Sequence, residues 1–154
     1  MITTLISDFS YVLLFPKDLR YKGRLNDLHK QLSQGGTYTI LDHYLFNDEL
    51  FTAYSEWKKK TGGSLFLYTD GQMHRIPELR QHLEPVFDAL YCSDDVGYRK
   101  NNPLGYTALL AKIEKNPDEV LFIDDKDQNL EASKEAGLTT LKYISNTQTI
   151  QALR

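Results

Sequence analysis

The hydrophobic positions of this chain fall into five short runs, separated by segments with helical periodicity. The runs are typical of buried strands and lie at residues 2–7, 64–68, 88–92, 119–123 and 138–143. Apolar residues at helical spacing predict helices at Leu45–Lys60, Pro77–Phe87, Pro103–Glu114, Gln128–Ala136 and Thr147–Leu153. Because strands alternate with helices, we expect an α/β fold with a central parallel sheet of about five strands and helices on both faces.

Residues 17–44 interrupt this alternation. The segment mixes charged residues with Gly23 and Gly35-Gly36, and it offers one short amphipathic helix at Leu25–Leu32. We expect it to form a small insertion over the edge or mouth of the sheet. No repeat or linker indicates a second domain, so residues 1–154 are predicted to form a single domain.

Composition and charge restrict the class of protein. Apolar residues make up 41% of the chain and charged residues 25%, which argues against disorder. A net charge of −3 argues against nucleic-acid binding. No segment is apolar enough to cross a membrane, and Asp8 interrupts the N-terminal run that would otherwise resemble a signal peptide. The sequence therefore predicts a cytoplasmic protein without a membrane partner.

The single cysteine and the four histidines show no spacing that indicates a metal site. Cys92 follows apolar residues and is predicted to be a buried structural thiol. His29, His43, His74 and His82 are expected to have surface or packing roles, and no zinc site is predicted.

Polar residues that can carry chemistry follow the predicted strands. They occur in Ser7-Asp8-Phe9-Ser10, Tyr68-Thr69-Asp70-Gly71, Phe122-Ile123-Asp124-Asp125 and Arg99-Lys100-Asn101-Asn102-Pro103. Ligands of parallel α/β sheets collect beyond the carboxyl ends of the strands. We therefore expect the acids, the threonine hydroxyl and the lysine to face one point.

This set of side chains suits phosphoryl transfer. The Asp8 carboxylate can attack phosphorus and form an aspartyl phosphate. Mg²⁺ held by Asp8 and the Asp124-Asp125 pair would neutralise charge on the nucleophile and on the phosphate oxygens. Thr69, Lys100 and the amides that follow Asp8 and Thr69 would bind the remaining oxygens.

Four segments, in this order, resemble the motifs of the haloacid dehalogenase-like (HAD) superfamily. An apolar strand followed by Asp-x-Asp-Gly-Thr/Val-Leu is similar to residues 5–13, and an apolar strand followed by Ser/Thr is similar to residues 65–71. A Lys shortly before a helix resembles Lys100–Pro103. An acidic pair followed by Asn and small residues resembles Asp124-Asp125 with Asn129, Ala132, Ala136 and Gly137.

The resemblance implies a three-layer Rossmann-like fold and a magnesium-dependent phosphatase. It implies that Asp125 is the more direct metal ligand and Asp124 the helper. The residues expected to be catalytic are Asp8, Thr69 and Lys100. Those expected to bind a small phosphorylated or acyl-phosphate substrate are Phe9, Ser10, Thr69, Asp70 and Lys100. Those expected to hold Mg²⁺ are Asp8, Ser10 through its backbone carbonyl, Asp124 and Asp125.

The first motif departs from the family pattern at Ser10 and Tyr11. The phosphatases of the family carry a second Asp at the position of Ser10, which protonates the leaving group and later deprotonates water. Serine cannot replace it at neutral pH, and loss of general acid–base help costs about 10²–10⁴ in rate. Tyr11 replaces the usual Gly, which removes the freedom of glycine to take a positive φ.

Two functions remain open after this departure. One is a weak or specialised phosphohydrolase that prefers good leaving groups. The alternative is a catalytically impaired module that binds phosphate and Mg²⁺ and has a regulatory role. Dehalogenation is disfavoured because it needs no Mg²⁺ and would leave Asp124 and Asp125 without a countercharge. Since little chain separates Asp8 from Thr69, we expect a small or truncated cap and an open site. The sequence does not indicate an oligomeric state.

Overall fold

The computed structural model describes residues 1–154 and has a five-stranded parallel sheet at its centre. The strands are β1 (Thr4–Ser7), β2 (Leu14–Pro16), β3 (Tyr44–Phe46), β4 (Ser64–Thr69), β5 (Ala89–Cys92), β6 (Val120–Asp124) and β7 (Thr139–Lys142). The order across the sheet is β5-β4-β1-β6-β7, and all neighbours are parallel. The predicted three-layer α/β fold with a five-stranded parallel sheet is confirmed. The expectation that all five strands are buried is wrong for the edge strand β7, none of whose residues is buried.

Seven helices connect or follow these strands. They are α1 (Leu25–Ser33), α2 (Asp48–Thr61), α3 (Pro77–Leu83), α4 (Ser93–Val96), α5 (Pro103–Ile113), α6 (Asp127–Glu135) and α7 (Asn146–Leu153). Only the short α4 has no counterpart among the predicted helices. None of the seven is long and apolar enough to cross a membrane.

Two predicted helix boundaries are wrong. The helix expected from Leu45 begins at Asp48, because Leu45 lies in β3 and pairs with Phe15 of β2. The helix expected to run to Phe87 ends at Leu83, two residues before Pro85, which has no amide hydrogen to continue the helical bonding.

The sheet separates two hydrophobic clusters, because successive strand residues point to opposite faces. Leu5 of β1 belongs to a cluster of 19 buried residues that includes side chains of α2 and α3. Ile6 belongs to a cluster of 12 that includes side chains of α5 and α6. Both faces are therefore buried, which explains why the strands read as continuous apolar runs.

Strands β2 and β3 form a separate antiparallel pair that the periodicity did not predict. Leu14 pairs with Phe46 and Pro16 with Tyr44, and the Lys17 amide donates to the His43 carbonyl at 2.9 Å. The pair brings the two ends of the insertion together. Most of the predicted insertion at residues 17–44, including α1, thus connects two strands that are hydrogen-bonded to each other.

Candidate active site

The sheet brings the ends of β1, β4 and β6 to one edge. Ser7 of β1 lies between Leu67 of β4 and Ile123 of β6 in the strand register. The amide of Asp8 donates to the Ile123 carbonyl at 2.9 Å, which continues the pairing by one residue. The acids and the threonine that follow these strands therefore share one end of the sheet.

Three carboxylates converge at this edge. One potential ligand oxygen from each of Asp8, Asp124 and Asp125 lies within 4.8 Å of the others. Asp8 is 5% exposed and Asp124 is fully buried. Oδ1 of the half-buried Asp125 has no hydrogen-bond partner. Carboxylates this close repel one another unless a cation lies between them.

Lys100 supplies one cation to this cluster. Its ammonium group donates to Asp8 Oδ1 at 2.6 Å and contacts Asp124 Oδ2 at 2.6 Å, while the residue is only 2% exposed. Burial by itself lowers the pKa of Lys100, but the charges of Asp8 and Asp124 raise it above its usual range. Lys100 therefore remains charged at the floor of the site.

The pKa values of two of the carboxyl groups lie above their ordinary range. Burial is the largest cause of the raised pKa of Asp8; Lys100 lowers it, and the charge of Asp124 raises it further. Burial also raises the pKa of Asp125, and the charge of Asp124 adds to the shift. One ammonium group does not fully compensate three acids, so the cluster favours a second cation.

Asp124 differs from Asp125 in how its oxygens are used. Asp124 Oδ1 accepts the Lys126 amide at 2.8 Å, and Oδ2 accepts the Asn129 side chain at 3.1 Å in addition to the Lys100 ammonium group. Asn129, which the fourth motif singles out, thus orients Asp124. Asp125 Oδ1, in contrast, accepts no hydrogen bond.

Asp70 lines the cavity, and its carboxylate also positions the backbone around Lys100. Asp70 Oδ1 accepts the Lys100 amide at 2.9 Å and the Ser93 hydroxyl. Tyr106 of α5 donates its hydroxyl to the Lys100 carbonyl at 2.7 Å. Sequence reasoning missed Ser93 and Tyr106, since neither lies in a recognisable motif.

The residues after Asp8 form a tight turn. The Phe9 side chain is 1% exposed within the hydrophobic core, and its amide donates to Asp8 Oδ1 at 2.8 Å. Ser10 lines the cavity. Tyr11 has a φ of 61°, so the turn takes the left-handed conformation even without glycine. The expectation that tyrosine prevents a positive φ here is wrong, because the Tyr11 hydroxyl bond to the Gly23 carbonyl at 2.6 Å helps to hold it.

An open cavity of about 610 Å³ lies above these groups. Asp8, Thr69 and Lys100 line it, and residues 22–26 of the insertion form another part of its wall. Gly71 packs against the Asn26 side chain, which a Cβ atom at this position would displace. The insertion therefore contacts the loop that carries Thr69.

The rim of this cavity is cationic. Lys22, Arg24, Arg99 and Lys126 line it and are all exposed. Of these four, only Arg99 forms an ion pair, with its Nε 3.9 Å from Asp70 Oδ1. In a chain of net charge −3, this rim favours anionic ligands.

The profile of the haloacid dehalogenase-like hydrolase family matches residues 16–137. The chain belongs to this family. The matched range begins after Asp8 and does not include the predicted first motif.

Curated relatives of this HAD chain include phosphatases. Enolase-phosphatase E1 of Methylococcus capsulatus is 28% identical over 102 residues, which cover 63% of this chain and 44% of the relative. Bifunctional epoxide hydrolase 2 of Mus musculus is 36% identical over 78 residues, which cover 51% of this chain and 13% of the relative. The match thus spans less than half the length of either relative.

Solved HAD structures share the fold over nearly the whole chain. A HAD-superfamily hydrolase from Ehrlichia chaffeensis has a TM-score of 0.71 at 17% identity, covering 99% of this chain and 96% of the other. A HAD-family enzyme from Bacteroides thetaiotaomicron, solved with magnesium and inorganic phosphate, has a TM-score of 0.69 at 14% identity, covering 94% and 95%. At these identities the likeness shows the fold.

Proposed function

We propose that this HAD chain is a Mg²⁺-dependent phosphohydrolase that forms an aspartyl phosphate on Asp8. The observation that carries the proposal is the meeting of the Asp8, Asp124 and Asp125 carboxylates around Lys100 at the floor of an open, cation-rimmed cavity. Curated relatives that are phosphatases support the same reaction class.

Asp8 is oriented as a nucleophile. Its Oδ1 accepts the Phe9 amide and the Lys100 ammonium group. Both hydrogen bonds fall on Oδ1, which leaves Oδ2 as the oxygen free to attack. The Asp8 Oδ2–phosphorus bond would form as the bond from phosphorus to the leaving oxygen breaks. Water would then attack phosphorus, which breaks the Asp8 Oδ2–phosphorus bond, frees the carboxylate and releases phosphate.

The residues at the floor fit Mg²⁺. All three acids offer hard oxygen ligands, and Asp125 Oδ1 is a buried oxygen without a donor. Asp8, Asp125 and the Ser10 carbonyl would hold the ion, with Asp124 as the supporting acid. When bound, Mg²⁺ would neutralise negative charge on the nucleophile and on the phosphoryl group.

Lys100 and Thr69 provide the remaining phosphate contacts. The ammonium group of Lys100 is fixed against Asp8, so a phosphoryl group that approaches Oδ2 meets a positive charge that needs no rearrangement. Thr69 is 4% exposed and lines the cavity, where its hydroxyl can donate to a phosphate oxygen. The cations of the rim would attract the substrate.

The leaving group determines how well the reaction can proceed. Ser10 stands where a carboxylic acid would protonate the departing oxygen, and its hydroxyl cannot do so at neutral pH. Acyl and aryl phosphates leave as stable anions and need little protonation. We therefore assign small acyl or aryl phosphates to this site as its preferred substrate class.

Steady-state phosphate release tests the proposal. Acetyl phosphate, an aryl phosphate and an alkyl phosphate are compared with Mg²⁺ and with EDTA. We expect Mg²⁺-dependent turnover of the first two at rates about 10²–10⁴-fold above that of the alkyl phosphate. The variant Asp8→Asn, which keeps the shape of the side chain but removes the nucleophile, serves as the control and should be inactive.

The second candidate is a module that binds Mg²⁺ and phosphate without appreciable turnover. The absence of a carboxylic acid at Ser10 favours it, since the same substitution that limits turnover leaves the metal and phosphate contacts intact. Calorimetric binding of phosphate with Mg²⁺, combined with no release from any of the three substrates, would establish this candidate and reject the hydrolase.

A further inference from the structure

A second cluster of potential metal ligands lies one strand away from the candidate active site. His74 in the 3₁₀ turn Met73–Arg75, Cys92 at the end of β5 and Asp95 in α4 each place one potential ligand atom within 4.8 Å of the others. We propose that these three side chains form a binding site for a thiophilic divalent cation of the zinc class. The site differs chemically from the all-oxygen cluster at the active site.

His74 gives the strongest indication of a missing partner. The residue is 3% exposed, and its Nδ1 is buried without a hydrogen-bond partner. A buried polar atom without a partner costs free energy, and native structures rarely leave one unexplained. A metal ion bound through Nδ1 would remove this cost.

Cys92 and Asp95 are already arranged as ligands. Cys92 is a free, fully buried thiol in the edge strand β5, opposite Thr69 of β4. Oδ2 of Asp95 accepts the Cys92 amide at 2.8 Å, which fixes the carboxylate next to the sulfur. The other oxygen, Oδ1, accepts a hydrogen bond from the exposed Arg75 guanidinium group.

The position of Arg75 shows that this point attracts positive charge. The Arg75 guanidinium donates to Asp95 Oδ1 at 3.0 Å and to Cys92 Sγ at 3.5 Å. Its side chain is 49% exposed, so it can turn into solvent when another cation binds. On metal binding the thiol proton passes to solvent, a sulfur–metal bond replaces the S–H bond, and Arg75 gives up its two acceptors.

The donor set and its surroundings select the ion. Thiolate, imidazole and carboxylate together suit Zn²⁺ or Co²⁺ and do not suit Mg²⁺, which prefers oxygen ligands alone. A cleft of about 590 Å³ reaches His74, Arg75 and Asp95 and gives the ion access from solvent. Three protein ligands leave a fourth position for water.

Cobalt spectroscopy tests the site without reference to enzyme activity. Co²⁺ bound to a thiolate absorbs in the near ultraviolet, and Cys92 is the only cysteine, so the band reports on this site alone. We expect Co²⁺ to produce the band, Zn²⁺ to displace it and Mg²⁺ to leave it unchanged. Cys92→Ser should abolish the band.

Three further variants separate the proposed ligands from their neighbours. Asp95→Asn should weaken Co²⁺ binding more than about tenfold, and the matched control Asp94→Asn, at the exposed acid one residue earlier, should not. Arg75→Gln should tighten binding about fivefold to tenfold, because it removes the competing cation. Circular dichroism verifies that each variant is folded.

The proposal is overturned by either of two results. One is no thiolate band at millimolar Co²⁺ in the native chain. The other is a band of unchanged strength and affinity in Asp95→Asn and in a folded His74→Gln variant.

Discussion

Ser10 has a strong influence on the proposed chemistry. It lies two residues after the candidate nucleophile and lines the cavity. The serine side chain is small and polar, but its hydroxyl is far too weak an acid to protonate a leaving group at neutral pH. Under the proposed function, the site would therefore bind and orient a phosphoryl group more effectively than it would expel an alkoxide.

Replacing Ser10 by aspartate should restore the missing proton transfer. We expect Ser10→Asp to raise the rate with the alkyl phosphate about 10²-fold or more, because general acid catalysis contributes about 10²–10⁴. The rate with acetyl phosphate should rise less, because its leaving group needs no acid and only the hydrolysis of the aspartyl phosphate gains a base. Steady-state phosphate release measures both, and Ser10→Asn, which has the shape of aspartate without its acid, is the matched control. An unchanged alkyl-phosphate rate would contradict the role assigned to this position.

The carboxylate of Asp70 should make the free energy of unfolding depend on pH. Burial raises its pKa, but hydrogen bonds from the Ser93 hydroxyl and the Lys100 amide, with the charges of Lys100 and Arg99, lower it below its ordinary value. A pKa that is lower in the folded chain than in the unfolded chain stabilises the fold above the unfolded value, about 3.9, and this stabilisation is lost as the pH falls.

We therefore expect the wild-type chain to exceed Asp70→Asn in free energy of unfolding by about 1–2 kcal/mol near pH 6, and by much less near pH 3. Urea denaturation at both pH values measures the two differences. A difference that does not shrink on acidification would show that the Asp70 charge is not used in this way.

At the scale of elements, Asn47 joins three parts of the fold. Its side chain caps α2 by accepting the Leu50 amide at 3.3 Å, and it donates to the Val12 carbonyl at 2.9 Å in the segment before β2. It also exchanges hydrogen bonds with Asn146 of α7 at 2.7 and 2.8 Å. One amide thus connects α2, α7 and the turn region that follows the nucleophile.

Asn47→Ala should lower the free energy of unfolding by about 2 kcal/mol, the sum of a lost cap and of partners left without a hydrogen bond. Asn102→Ala is the comparison, because Asn102 caps α5 by accepting the Leu104 amide at 3.0 Å and makes no such network. It should cost about 1 kcal/mol. Urea unfolding curves that give equal losses for both variants would reject the connecting role of Asn47.

The insertion shows why element boundaries were harder to predict than elements. Apolar spacing indicated α1 correctly, and it indicated α2 three residues too early, since Leu45, although apolar, lies in a strand. The pairing of β2 with β3 joins residues about thirty positions apart, and strands of three residues leave no readable alternation. The structure explains the start of α2 by the Asn47 side chain, which caps the helix by accepting the Leu50 amide.

At the scale of the whole molecule, metal binding should stabilise the fold. A ligand that binds the folded chain alone adds about 2.7 kcal/mol when its concentration is a hundredfold above Kd. For a chain of this size we expect Mg²⁺ to raise Tm by about 5–10 °C at such concentrations. Asp125→Asn, which replaces the acid with the free oxygen, should remove most of this shift.

Differential scanning calorimetry with Mg²⁺ and with EDTA measures these Tm values, and Asp127→Asn provides a control at an exposed acid two residues later. A shift that persists in Asp125→Asn would place the ion elsewhere. Because Mg²⁺ does not suit the cluster of His74, Cys92 and Asp95, the two metal sites can be distinguished by the choice of ion.

The sequence by itself determined the layered α/β fold and the order of the chemical groups along the chain. Both are local properties: apolar runs predict buried strands, and Asp8, Thr69, Lys100 and the Asp124-Asp125 pair lie at strand or helix ends that the pattern reveals. Because the carboxyl ends of parallel strands lie at the same edge of a sheet, the sequence also predicts that these chemical groups lie close together.

The tertiary structure alone decided which side chains touch. It places the Lys100 ammonium group between Asp8 and Asp124, holds Tyr11 in a left-handed turn, and brings His74, Cys92 and Asp95 together. These contacts depend on strand order and on loop conformation, which are set by packing between residues distant in sequence. No short stretch of the chain carries that information, because each contact arises only when the sheet assembles.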